Sequence, residues 1–202
     1  MAKRGKLFVL TGPSGAGKGT ILEHILKAAP NLFLSVSATT RAPRAGEQEG
    51  IHYFFLSREA FEERVKQGDF LEYAEYVGNY YGTLEKPVDE RLDEGYDVIL
   101  EIEVQGAMQI HQKRPDAVLV FVAPPSMEEL SRRLYGRGTE DAQERERRLQ
   151  TAEHEMTYKD SFDYIVTNEV LERAVGDLLA IFRAERCRNN PRQIQGEGNT
   201  QC

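Results

Sequence analysis

Cysteine is scarce: of 202 residues only Cys187 and Cys202 are thiols, both close to the end. Two late cysteines build no disulfide framework, so a reducing compartment, the cytoplasm, is the expected location. Long hydrophobic runs are missing, and none approaches the roughly 18 residues of a membrane-spanning helix. The basic start Met1-Ala2-Lys3-Arg4-Gly5 leads into an apolar stretch at 6–10 that is too short for the core of a secretory leader. Positive charge is in deficit. With 26 Lys and Arg against 33 Asp and Glu, the formal net charge of −7 argues against the molecule-wide basic field of a nucleic-acid binder, while local basic clusters stay open. Histidine is limited to His24, His52, His111 and His154, scattered without metal-ligand spacing. No internal repeat is visible.

What remains is an ordinary soluble composition, 40% hydrophobic and 29% charged, on a chain long enough for one core with small inserted lobes. The run Leu7-Phe8-Val9-Leu10 is short and stopped by glycine and proline, as a buried strand would be. Ile21, Leu22, Ile25 and Leu26 recur at helical spacing before Pro30, which predicts a helix over 18–28. Residues 35–85 have another texture, rich in Tyr, Phe, Thr and Gly. They predict strands at 53–56 and 70–77, a Gly78-Asn79 turn, and a helix at 58–67 ended by Gly68. Strands at 98–102, 118–122 and 164–166 then alternate with helices at 105–113, after Ser126 (with Glu129 three residues on, a capping-box pattern), through the charge-dense 135–158, and at 171–186. The polar tail beyond Cys187 reads as frayed. Short apolar strands alternating with helices predict an α/β fold with a parallel sheet covered on both faces.

Gly12-Pro13-Ser14-Gly15-Ala16-Gly17-Lys18-Gly19-Thr20 follows the first strand and opens the first helix, the context a phosphate-binding P-loop requires. Glycines let the backbone wrap closely so that successive N–H groups face the phosphates; the helix N-terminus adds partial positive charge and Lys18 a full one. Gly19 stands where a hydroxyl residue usually follows the lysine, leaving Thr20 as the candidate Mg²⁺-contacting hydroxyl. The loop alone indicates a nucleoside triphosphate, ATP being the expected one, and not what it is used for.

Ser35-Val36-Ser37-Ala38-Thr39-Thr40-Arg41-Ala42-Pro43-Arg44-Ala45-Gly46-Glu47, Gly50-Ile51-His52-Tyr53-Phe54-Phe55 and Gly78-Asn79-Tyr80-Tyr81-Gly82-Thr83 together resemble the GMP-binding region of bacterial guanylate kinases, nucleoside-monophosphate kinases of the P-loop class. The resemblance runs in order from Leu7 to about Arg186. It implies ATP-dependent phosphorylation of GMP on an adenylate-kinase-like parallel sheet. The core would comprise 5–34, 96–135 and 157–186, with a strand-rich GMP lobe at 35–95, a mobile lid at 136–156 and a tail at 187–202. The chemistry agrees. Two arginines three residues apart, Arg41 and Arg44, can fork onto a dianionic phosphate, with phenols from Tyr53 and Tyr81. Guanine presents an N1–H beside an amino group, for which a carboxylate, Glu72, is the matching acceptor. Ser37 and Thr83 can serve the remaining edge, and Glu47 belongs to the same string.

The acceptor is a phosphate oxygen already ionised at neutral pH, so no general base is needed. The work is to align two polyanions and neutralise the charge between them. By resemblance, the segment Arg132-Arg133-Leu134-Tyr135-Gly136-Arg137-Gly138 and the helix after it form the ATP lid, with Arg133, Arg137 and Arg148 as its functional cations. Solvated arginine–glutamate pairs are the alternative reading. Glu101 and Glu103 stand on one side of a strand end where the family often has aspartates. Glu101 would hold water around Mg²⁺ and Glu103 reach the guanine or its ribose; a buried ion pair with an arginine is the competing account. Asn168 matches a position near the adenine, or caps a helix. An inactive scaffold module of the same fold is disfavoured by the intact loop, and a kinase for AMP or a ribose phosphate by Tyr81-Gly82-Thr83 with Glu72. Neither nucleic acid nor membrane is an expected partner, and oligomeric state is not readable.

Overall fold

The computed structural model describes residues 3–135 and 142–188. Its centre is a five-stranded parallel sheet. Strand β1 (Leu7–Thr11) is buried throughout and, after helix α1 (Lys18–Ala28), the chain returns as the short strand β2 (Leu32–Leu34). Later strands β7 (Asp97–Glu101), β8 (Val118–Ala123) and β9 (Tyr164–Thr167) complete the order β2-β7-β1-β8-β9. The alternation of β1 explains two cores. Leu7 and Val9 face one layer, with Leu100, Phe121 and helices α3 (Glu85–Asp93) and α4 (Val104–Lys113) through Val88, Leu92, Val104 and Ile110. Phe8 and Leu10 face the other, with Ile21 and Ile25 of α1 and Leu178 and Phe182 of α7 (Leu171–Cys187). Each such fully buried side chain stabilises the fold by about 1.5–3 kcal/mol. Phe8 and Phe182 meet edge to face at 4.5 Å, which locks α7 over β1.

The inserted lobe is a separate four-stranded sheet. Strands β3 (Ala38–Thr39), β4 (Phe54–Phe55), β5 (Phe70–Tyr76) and β6 (Asn79–Leu84) are ordered β4-β3-β6-β5. Helix α2 (Arg58–Gln67) covers it through Phe61, stacked on Phe70 at 4.3 Å. Ser57 Oγ accepts the Ala60 N–H to start α2, and Gly68 ends it at φ 78°. Helix α4 ties lobe to core: the Gln109 amide bonds both the N–H and the carbonyl of Tyr73, and Lys113 Nζ donates to the Phe70 carbonyl at 2.7 Å.

Helices α5 (Met127–Tyr135) and α6 (Ala142–Met156) pack together through Leu130, Leu134 and Ala152. Ser126 Oγ accepts the Glu129 N–H, so the capping serine is where the sequence placed it. The residues around Arg137 and the tail with Cys202 lie outside the described residues. No described helix is long and apolar enough to cross a membrane.

Candidate active site

The carboxyl ends of β1 and β7 open into a cleft between core, lobe and α6. On the core side, Gly12 (φ 142°), Gly15 (φ 89°) and Gly17 (φ 90°) hold backbone conformations that a side chain would strain. At Gly12 a Cβ would also lie 2.1 Å from the Val122 carbonyl oxygen, and at Gly17 2.3 Å from the Asn168 amide nitrogen. The loop is therefore packed from behind by β8 and by Asn168. Pro13 and Ala16 are buried in it, whereas Gly19 and Thr20 are exposed at the first turn of α1. Lys18 Nζ folds over the loop onto the carbonyls of Gly12 and Pro13, the latter at 3.1 Å. Burial lowers the Lys18 pKa, against the attraction of Glu101, Glu155 and Glu103, in that order.

On the lobe side a cavity of about 320 Å³ is lined by Ser37, Tyr53, Glu72, Tyr76, Tyr81 and Glu103, among others. Register builds this wall. Glu72 pairs with Thr83 and Ala74 with Tyr81, and a bulge between Phe70 and Glu72 lets Leu71 turn into the core below. Glu72 is 5% exposed, and its Oε1 accepts the Thr83 hydroxyl at 2.7 Å. Burial, and to a lesser degree Glu103, push its pKa up despite Thr83 and Lys113. Thr83 itself is buried beneath it and acts on the cavity through Glu72.

Beside Tyr53, Arg41 Nη2 donates to both Glu47 oxygens, at 2.8 and 3.0 Å, and Nη1 donates to the Ala42 carbonyl, with the guanidinium 5.4 Å from the Tyr53 ring centre. Arg41, then the Arg44 N–H at 2.7 Å, hold the Glu47 carboxyl below its ordinary range. The Arg44 side chain is exposed beside them, and Tyr53 and Tyr81 stand 6.1 Å apart between the arginines and the cleft. The structure thus brings Arg41, Tyr53 and Tyr81 together, with Arg41 already paired to Glu47, and leaves the Arg44 side chain exposed.

A second cavity, about 540 Å³, lies over the P-loop between Gly12, Ser14, Lys18, Glu101, Glu103, Arg147, Arg148, Thr151 and Glu155. It shares Tyr53, Tyr76, Glu101, Ile102 and Glu103 with the first, so the two form one continuous cleft. Glu101 opens onto this cleft, yet enough protein surrounds it that burial outweighs Lys18 and raises its pKa. The charge that acts on Glu101 is Lys18, and Arg147 and Arg148 line the same cavity as Glu101 and Glu103. Arg148 Nη2 donates to Ser14 Oγ at 3.3 Å. Arg133 is held by Glu129 at 2.8 Å and donates to the Asn168 carbonyl at 3.2 Å. Asn168 is buried behind the loop, its amide donating to the Ala16 carbonyl at 2.8 Å; Val170, not Asn168, precedes α7, so the cap account fails.

Three participants escaped the sequence reading. Glu155 lies seven residues after Arg148, two helical turns along the same face, and that spacing was the available signal. Its carboxylate accepts the Ser14 N–H, and burial raises its pKa to about 7, ahead of the opposing pull of Lys18 and the repulsion of Glu103. Tyr76 follows Glu72 by four residues on a strand, hence on the same face. Gly106 gave no sequence signal: a Cβ there would lie 2.7 Å from Glu72 Oε2, so α4 presses bare backbone against the carboxylate.

Comparison with known proteins agrees with this geometry. A family model described as "Guanylate kinase" matches residues 4–185. The chain is 50% identical over 194 residues to the guanylate kinase of Desulfitobacterium hafniense, covering 95% of this chain and 97% of that relative. It is 52% identical over 186 residues to a guanylate kinase of Thermus thermophilus, covering 92% and 84% respectively. Among solved structures, the crystal structure of guanylate kinase from Anaplasma phagocytophilum superposes with a TM-score of 0.74 at 34% identity, covering 93% of this chain and 89% of that one.

Proposed function

The chain belongs to the guanylate kinase family and phosphorylates GMP to GDP with ATP, and on that premise we propose how its residues divide the reaction. The lobe cavity takes GMP. Glu72, oriented by Thr83, accepts the guanine N1–H and amino group, while Ser37 and Glu103 complete the base and ribose edge. Arg41 and Arg44, with Tyr53 and Tyr81, take the GMP phosphate, and Glu47 releases Arg41 as that phosphate arrives. The loop from Gly12 to Thr20 holds the ATP phosphates through its amides and Lys18. Arg133 and Asn168 support the nucleotide side, Arg148 reaches the transferring phosphoryl from α6, and Arg137 is assigned to the same charge by resemblance.

A GMP phosphate oxygen forms the bond to the γ-phosphorus as the bond to the bridging oxygen of ADP breaks, nearly in line. Lys18, Arg41 and Arg148 neutralise the charge spread over the moving group, which is where electrostatic catalysis acts. The donors suit Mg²⁺. No described cluster of three or more acidic, His or Cys side chains could cage an ion, and Mg²⁺ characteristically keeps water and uses one or two protein oxygens with substrate phosphates. Thr20 and, through water, Glu101 would hold it, and it would supply additional charge neutralisation on the ATP phosphates. The setting we propose is cytoplasmic purine nucleotide metabolism, including GMP recycling.

The buried Glu72, with one oxygen bonded to Thr83 and the cavity before it, carries this reading. The test is ADP release with Mg-ATP and GMP, AMP, CMP or UMP in turn, for the wild type and Glu72→Gln. Fast turnover is expected with GMP alone. The variant should lose about 10²–10⁴-fold of the GMP-over-AMP ratio of kcat/KM, because a site built on hydrogen bonds discriminates through them. An unchanged ratio would move guanine recognition away from Glu72.

A further inference from the structure

Tyr76 ends β5 on the face it shares with Glu72 and Ala74, and all three line the acceptor cavity. The turn behind it sets that register. Val77 and Gly78 both have positive φ, 48° and 75°, in the primed geometry favoured by two-residue hairpins, and Tyr76 pairs with Asn79 across them. A β-branched residue held in that region is strained. Val77 is 80% exposed, so burial of its side chain does not offset the strain. The strain is tolerated in a hairpin whose pairing cannot slip: a shift of one residue would turn Glu72 and Tyr76 away from the cavity together.

Four residues at about 3.3 Å each carry Tyr76 about 13 Å along the strand from Glu72. That is the distance from the base-reading end to the junction of the two cavities, and Tyr76 lines both. Its ring leans edge-on against Tyr81 at 6.5 Å and is 56% exposed, an aromatic face presented to the place where acceptor and donor phosphates meet. Water is the standing competitor at that place. If a water oxygen instead of a GMP oxygen forms the bond to the γ-phosphorus, the bridging bond still breaks; ADP and inorganic phosphate leave, and the water proton goes to solvent. Excluding water is therefore a requirement of transfer. Lys18, Glu101, Glu103, Arg148 and Glu155 line the donor cavity with polar groups that attract water; Tyr53, Ile102 and Tyr76 bring apolar surface, and of these Tyr76 is the exposed one.

We propose that Tyr76 is the shielding residue of the reaction, its ring closing the junction between bound GMP and ATP so that the γ-phosphorus meets the acceptor and not water. The inference rests on the acceptor reading above. It assigns the work to the ring and not to the hydroxyl, so phenylalanine should serve as well.

ADP, GDP and inorganic phosphate are quantified together for the wild type, Tyr76→Phe and Tyr76→Ala with Mg-ATP and GMP. The ratio of products does not depend on how much of a preparation is active, so a poorly folding variant still reports. Wild type and Tyr76→Phe should form nearly one GDP per ADP, with the same small ratio of inorganic phosphate to GDP. In Tyr76→Ala, inorganic phosphate per GDP should rise about tenfold, equivalent to about 1.4 kcal/mol of lost discrimination against water. A wild-type ratio in Tyr76→Ala, at whatever overall rate, overturns the shielding role, as does an equal rise in Tyr76→Phe. Failure of the wild type to make GDP would overturn the acceptor reading instead.

Discussion

Replacing Glu155 by glutamine keeps an oxygen for the Ser14 N–H and removes a titrating charge that folding has placed badly. Its carboxyl is raised from 4.5 to about 7 because burial outweighs the attraction of Lys18, Glu103 repels it, and the Ser14 amide only partly compensates. At about 1.36 kcal/mol per pH unit the displacement sets a ceiling of about 3 kcal/mol. Glu155 is half-buried, and screening by cleft water reduces this to about 1–2 kcal/mol. The sign follows from proton linkage. Between pH 4.5 and 7 the unfolded chain has lost this proton and the folded chain keeps it, so stability falls as pH rises through that window. The deficit is complete above pH 7. Glu155→Gln should melt with the wild type near pH 4.5 and above it at pH 8, by roughly 2–8 °C for a chain of this size. Thermal melts at half-unit pH steps, without nucleotide or phosphate, make the comparison. A melting difference independent of pH, or a less stable variant at pH 8, would refute the burial argument.

Two further substitutions probe the cleft. Lys18→Ala should lower kcat at saturating ATP by about 10²–10³-fold or more, the scale of losing one preorganised charge donor, with the melting temperature retained; wild-type turnover would remove Lys18 from the chemistry. Gly106→Ala should raise the KM for GMP about tenfold, or about 1.4 kcal/mol, by displacing Glu72, while α4 gains up to about 1 kcal/mol of helix propensity; steady-state kinetics beside a melt would show weaker GMP binding on an undiminished fold, and an unchanged KM would mean that Glu72 adapts.

The regular elements were legible where a period and a punctuation mark coincide. Helix α1 follows from Ile21, Leu22 and Ile25 between the glycine loop and Pro30, and α2 from its Gly68 stop, while its Ser57 cap emerged from the structure. Helix α3 was not read, because Glu85-Lys86-Pro87 looks like a loop and only Val88 and Leu92 point inward. Proline in the first turn is nonetheless compatible with a helix. Strand β2 has three residues, too few for any period. In the site, residues of unusual type at a local spacing were found: the glycine loop, the paired arginines, and Glu72 by resemblance. Contacts made across the fold were not. The Asn168 amide on Ala16 and the bare backbone of Gly106 under Glu72 join positions far apart in sequence, and no local pattern announces either.

The acidity of the chain and its task of joining two polyanions are reconciled by how the cleft holds its cations. Arg41 is paired with Glu47 through Nη2, Arg133 with Glu129 through Nε, and Lys18 lies among Glu101, Glu155 and Glu103. An unpaired ammonium buried as Lys18 is would tend to give up its proton, and the neighbouring carboxylates oppose that loss. A guanidinium already held by a carboxylate and a backbone carbonyl has little rotamer freedom left to lose. When a phosphate replaces Glu47 on Arg41, a group of charge near −2 takes the place of one of −1. No new desolvation of the arginine is required, because its water was displaced when the protein folded. On the proposed division of the reaction, the carboxylates orient Arg41 and Arg133 and oppose the loss of the Lys18 proton until the substrates arrive. On that reading, phosphate recognition depends on which anion fits the waiting guanidinium, and the net charge of −7 does not oppose it.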